Sequence, residues 1–146
     1  MKRQIILQIG AKLLIPPILL FALYVQFHGD YGPGGGFQAG VIFAAAFILY
    51  GLVFGPAKLR RVAPLQSLIR LMALGLLIYL GAGYAGMAMG GGFLNYNMLS
   101  RDPVQGQHLG IFLIELGVGI TVASTMLAIY TCFAALQSIA PADGGR

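Results

Sequence analysis

Four apolar runs divide this chain, roughly Ile5 to Phe27, Phe37 to Phe54, Leu68 to Met89 and Leu109 to Leu136. Each is long enough to cross a hydrocarbon layer of ~30 Å at ~1.5 Å per helical residue, the second being the shortest. The chain has 146 residues, 58% of them hydrophobic and 9% charged, which leaves room for these spans and little else. Its mean hydropathy of +0.84 lies outside the soluble-globular range. The pattern predicts an all-α membrane protein with four transmembrane helices. They form a single integral domain over residues 1–140, followed by a polar tail at 141–146.

Charge placement then predicts the orientation. If the N-terminus, the 55–67 connection and the C-terminus share one side, that side holds Lys2, Arg3, Lys12, Lys58, Arg60, Arg61, Arg70 and Arg146, eight of the nine basic residues. Only Arg101 falls on the other. Basic residues favour the cytoplasmic face, so both termini are expected inside, with two short outward loops near 28–36 and 90–108. This accounts for the basic pI of about 9.7 without nucleic acid, for which the basic residues are too scattered. The start MKRQ is expected to belong to a retained first span rather than a signal peptide. Lys12 and Pro16-Pro17 interrupt the run, and no small-x-small cleavage site precedes Phe27. The prolines are expected either to start the regular helix or to kink it. A single cysteine, Cys132, excludes an internal disulfide and a Cys-rich metal site.

Between the first two runs stands GDYGPGGGFQAG, residues 29–40. Its Gly34-Gly35-Gly36-Phe37-Gln38-Ala39 fits G-x-G-x-x-A, the loose form of the dinucleotide fingerprint. That fingerprint needs a preceding strand and an acidic residue ~20 positions later. Here a membrane span precedes it, and no Asp or Glu occurs between Asp30 and Asp102. A nucleotide site is thereby excluded. Pro33 can pre-set a turn or helix start, and the glycines allow unusual φ and close backbone approach. Gly32, Gly36 and Gly40 recur every four residues, as do Gly51 and Gly55, which makes a smooth helix face for packing. Pro33, Gly34, Gly35, Gly36, Phe37 and Gly40 are therefore the candidates for a structural turn and for subunit packing.

Glu115 is the only acidic residue inside any run, six residues into the fourth and ~9 Å below its outer end. A carboxylate at that depth normally faces a bundle interior or a wet cavity and marks an ion or proton path. His108 lies two turns earlier on the same stripe, which continues through Gly119, Val122 and Thr125. Glu115, His108 and Thr125 are thus candidates for a cation or proton path. The plainer alternative is a structural hydrogen bond from Glu115 to backbone or a neighbouring subunit. His28 and Asp30 are candidates in the outward loop. With Asp102 and His108 they could meet on one side, but their spacing matches no metal motif, so neither metal nor cofactor is expected. Arg101-Asp102 is expected to be a solvated charge pair, and Arg70 to snorkel toward headgroups. No G-x-S-x-G, H-E-x-x-H or P-loop pattern occurs, so an enzyme is not expected.

The stretch Leu20 to Gly40 with its PGGGF, and the fourth span from Gly110 to Ala128 with Glu115-Leu116-Gly117-Val118, resemble the MnhB (MrpB) family of small subunits in the Mrp-type (Mnh or Pha) multisubunit cation/proton antiporters. The family's Gly-His-Asn before the proline is replaced here by His28-Gly29-Asp30-Tyr31-Gly32. The resemblance implies a small, non-catalytic, multi-pass subunit of a secondary transporter in the bacterial plasma (inner) membrane. Its partners would be the other subunits of a hetero-oligomeric complex and the lipid bilayer. The whole complex would exchange cytoplasmic Na⁺ or K⁺ for external H⁺. Two alternatives stay open: a scaffold without ion contact, or the homologous subunit of an Mrp-related membrane-bound hydrogenase complex.

Overall fold

The computed structural model describes residues 2–29, 32 and 34–139. Every regular element among them is helical: α1 (Lys2–His28), α2 (Gly36–Phe54), α3 (Pro56–Val62), α4 (Leu65–Ala88) and α5 (Pro103–Ile139), with a 3₁₀ turn at Tyr96–Met98. Four of the five helices are long and apolar enough to cross a membrane: α1, α2, α4 and α5. All of these except α2 run several residues past an end of the apolar run that marks them, because helices continue into polar caps that hydropathy does not count. The polar tail and the outward-loop residues Asp30 and Pro33 lie outside the described residues.

Both prolines of α1 lie inside a continuous helix. They neither start nor end it, although each lacks the N–H that would bond back to Lys12 or Leu13. The 55–67 connection, which carries no long apolar run, still holds α3. Gly55 breaks α2 with φ 97°, a left-handed value that favours glycine, and Pro56 occupies the first turn of α3. The turn residues therefore fold a basic loop into one short helix, with Arg60 and Arg61 in its last turn.

The helices pack in the order α1, α2, α5, α4, while α1 and α4 do not pack against each other. The result is an open row centred on α5, not a closed bundle. Buried positions are mostly small: Ala11, Ala22, Ala39, Ala44, Ala46 and Ala82, along with glycines on α2, α4 and α5. Large apolar side chains such as Ile6, Leu13, Leu20 and Phe133 point outward. This inversion suits a lipid solvent, where apolar residues gain little by leaving the surroundings and helices associate through close backbone contact. Gly40 backs onto the Gly119 carbonyl, where an added Cβ would stand 2.7 Å away, and Gly75 and Gly117 oppose each other across α4 and α5. The α2–α5 pair keeps one parallel register from Gly36–Glu115 through Gly40–Gly119 to Gly51–Tyr130. Of the four-residue glycine series, Gly36 and Gly40 serve this interface. Gly32 precedes the helix and Gly55 ends it.

Four hydroxyls of α5 bond within their own helix. Thr121, Ser124, Thr125 and Thr131 each donate to the carbonyl four residues back, at 2.6–2.8 Å. Leu59, the largest fully buried side chain among the described residues, packs on Gly51 at the opposite end of α2–α5, where Tyr130 also meets that glycine. At that end Lys12 and Lys58 both lie over the Phe54 ring, 6.0 and 5.9 Å from its centroid, tying α1, α2 and α3 together.

Candidate functional site

The Glu115 carboxylate is enclosed by the glycine turn. A Cβ on Gly29, directly after α1, would collide with both Glu115 carboxylate oxygens, standing 2.8 Å from Oε1. A Cβ on Gly35 would come 3.1 Å from the same oxygen, and Gly35 has φ 152°, where L side chains are strained. A Cβ on Gly36 would run into the Glu115 carbonyl oxygen. Gly29 and Gly35 thus let the backbone close over the carboxylate, and Gly36 lets α2 press against the Glu115 main chain.

The same geometry has an electrostatic side. Gly35 is the N-cap of α2 and supplies no side-chain cap. The first N–H groups of a helix lack intrahelical partners, and its dipole favours negative charge at that end. Glu115 is half-buried beside this terminus. A carboxylate held there can bind a proton or a monovalent cation, or simply bridge α1, α2 and α5.

The other sequence candidates separate. Gly34 packs on Val25, and Phe37 is 61% exposed on the outer surface of α2. Gly40 meets Gly119 and Val122 one turn below the carboxylate. Thr125 lies ten residues along α5, ~15 Å from the Glu115 level, with its hydroxyl on the Thr121 carbonyl. His108 is exposed two turns before Glu115. His28 is exposed at the end of α1 and stacks on Tyr24, centroids 5.0 Å apart. Among the described residues no three His, Cys, Asp or Glu side chains form a metal-binding group.

Three structural features of this region lie outside the sequence candidates. Gly29 touches the carboxylate as closely as the PGGGF glycines do. Its only signal was its place next to them. Gln26 is buried at the α1–α5 contact, its carboxamide oxygen against Gly119. A lone amide near the end of an apolar run was the available sign. Asp102, expected to be a solvated charge, begins α5. Its Oδ1 accepts from Val104 N at 3.0 Å, and Pro103 follows as the first helical residue. The pair Asp-Pro ahead of an apolar run is an N-cap signature.

The 90–102 connection folds back over this end of the row. Phe93 seats on Gly83 and packs edge-on to Tyr84, Tyr96 seats on Gly110, and Gln107 Nε2 donates to Asn97 Oδ1 at 2.8 Å. Burial first, and Tyr79 second, push the Tyr96 phenol above its ordinary pKa.

Residues 6–128 match the family described as a domain related to the MnhB subunit of Na⁺/H⁺ antiporter. The B subunit of the Na⁺/H⁺ antiporter of Alkalihalophilus pseudofirmus is 31% identical over 119 residues, covering 75% of this chain and 82% of that protein. A putative antiporter subunit mnhB2 of Staphylococcus aureus is 34% identical over 131 residues, covering 88% and 92%. With four spanning-length helices and this similarity along most of its length, the chain is a multi-pass bacterial membrane protein that belongs to the MnhB family.

Proposed function

We propose that this chain is a non-catalytic subunit of a multisubunit monovalent cation/proton antiporter, supporting export of Na⁺ or K⁺ coupled to H⁺ uptake. Within it, Glu115 is the residue that meets the ion. The observation that carries this reading is the close approach of Gly29 and Gly35 to the Glu115 carboxylate, beside the N-terminus of α2, while Gly36 backs onto the Glu115 main chain. An intramembrane carboxylate can take a proton or an alkali cation in turn, and its exclusive occupancy by one or the other couples their flows. The glycines hold the chain close enough to shield the carboxylate from lipid while leaving no side chain in its way. Two histidines, His28 beside Gly29 at the end of α1 and His108 two turns before Glu115 on α5, supply proton exchange with the exterior.

The same reading puts both termini and α3 in the cytoplasm. Arg60 and Arg61 in the last turn of α3, together with Lys12, Lys58 and Arg70, favour that side. A row open along its flanks, with large apolar residues outward, suits association with other membrane subunits. The experiment is affinity purification of the tagged full chain from its native membrane. Retention of larger membrane partners, with Na⁺- or K⁺-dependent H⁺ exchange after reconstitution, is expected. A chain that purifies alone, from a strain whose antiport survives its deletion, overturns the reading.

A second reading is favoured by one contact. The Gly36–Glu115 contact is backbone to backbone, and a scaffold role needs only that. Removing the carboxylate while keeping assembly separates the two.

A further inference from the structure

Lys12 of α1 and Lys58 of α3 converge on one aromatic ring from two helices. Their ammonium groups lie 6.0 and 5.9 Å from the centroid of Phe54, which packs in turn on Tyr50 at 4.8 Å. Both lysines are exposed, and with Ile15, Pro16, Tyr50 and Phe54 they line one cavity of about 440 Å³. A ring face attracts an ammonium but leaves its N–H donors free to bond elsewhere. Two like charges about one ring also repel each other, and an anion between them removes that repulsion. Among the described residues the two carboxylates stand at the other end of the row. Glu115 meets Gly36, ~27 Å from Phe54 along α2, and Asp102 begins α5 further out. The lysine pair is a cationic site whose anion must come from outside the chain described.

The level of the site follows from α2. Gly36 to Phe54 measures ~27 Å, nearly the whole ~30 Å hydrocarbon core, so Phe54 stands at its boundary on the α3 side. Lipid headgroups begin there, and lysine side chains reach toward them. A second cavity, of about 220 Å³, adjoins the first, since Ile15 and Tyr50 line both. Its other walls are apolar: Leu19, Ala46, Phe47 and Val62. Leu19 is seven residues past Lys12 in the direction of Gly29, ~10 Å deeper in the core. Positive charge at the boundary with an apolar groove leading inward matches a molecule that is anionic at one end and hydrocarbon at the other. A soluble anion would leave the groove bare. An acidic loop of another protein would carry unpaired backbone into it.

We propose that Lys12 and Lys58 hold the phosphate of an anionic phospholipid from the leaflet on the α3 side, with one acyl chain in the groove of Ile15, Leu19 and Phe47. Basic pockets between membrane helices take such headgroups through their charge. The bound lipid ties α1 to α3 at the end of the row opposite Glu115. This goes beyond ion exchange and does not rest on it.

The test uses the assembled complex in phosphatidylcholine vesicles. A trace lipid carries a photoreactive diazirine on one acyl chain and either a phosphatidylglycerol or a phosphatidylcholine headgroup, and cross-links are mapped by peptide mass spectrometry. The phosphatidylglycerol probe is expected to label residues 15–19 and 46–50 saturably, about tenfold or more above the phosphatidylcholine probe. Lys12→Gln and Lys58→Gln should each lower that labelling about fivefold. Arg70→Gln, on a helix that does not pack against α1, should leave it unchanged. An equal fall with Arg70→Gln would assign the effect to general surface charge and overturn the proposal. The comparison of headgroups on the unaltered protein stands even where a variant fails to assemble, and equal labelling by both overturns the proposal. So does an absence of saturable labelling, the result expected if an acidic segment of a neighbouring subunit fills the cavity. Millimolar inorganic phosphate should not displace the probe, because the groove adds to its hold; displacement would make this a free-phosphate site and likewise overturn the proposal.

Discussion

Gly36 of α2 backs directly onto the main-chain carbonyl of Glu115 in α5, so the turn that opens α2 and the carboxylate of α5 form one structural unit. Gly29 and Gly35 complete it from the side-chain direction, and the two kinds of contact have different consequences.

Gly36→Ala forces α2 away from α5, because the added methyl meets backbone that cannot rotate aside. Overpacking of this kind costs about 1–3 kcal/mol. The expected outcome is less assembled complex and a lower melting temperature in detergent, read by size-exclusion fluorescence. Normal assembly of this variant would show that α2 and α5 can part without loss.

Gly29→Ala meets the movable end of the Glu115 side chain instead. The complex should assemble at wild-type levels while cation-dependent proton exchange falls severalfold, since the carboxylate must leave its seat. Unchanged exchange would mean that the position of the carboxylate does not matter.

Asp102 caps α5 through its contact with Val104 N. Asp102→Ala should cost ~1 kcal/mol of stability and Asp102→Asn much less, because Asn also caps. Thermal unfolding of the two variants side by side checks the ranking. Equal losses would assign the effect to charge rather than to capping.

Orientation is tested by single cysteines at positions 58 and 101 in a chain carrying Cys132→Ala. A membrane-impermeant maleimide should label position 101 from outside intact cells and position 58 only in everted vesicles. The reverse pattern would turn the topology over.

The spans were legible because lipid solvent writes itself into composition: long apolar runs have no other stable use. Glu115 was legible for the same reason, as the one acid among them. What the sequence did not show is which glycine touches what. Gly32, Gly36 and Gly40 share a spacing, but only the last two lie in α2, since Gly35 with φ 152° precedes its first turn. The Gly75–Gly117 contact joins positions on two helices whose register no local pattern encodes. The stripe from His108 through Glu115 to Thr125 is sound helical geometry on α5. What each of its positions faces is decided by the neighbouring elements, not by the helix itself.

The most direct measurement is Na⁺- and K⁺-dependent pH change in everted vesicles containing Glu115→Gln, with assembly of the complex checked in the same membranes. The amide keeps the shape within the glycine enclosure and removes the charge. Exchange should fall at least tenfold with assembly intact, and Glu115→Asp should restore part of it. Wild-type exchange from an assembled Glu115→Gln complex would contradict an ion-contacting role and leave the carboxylate as a packing residue.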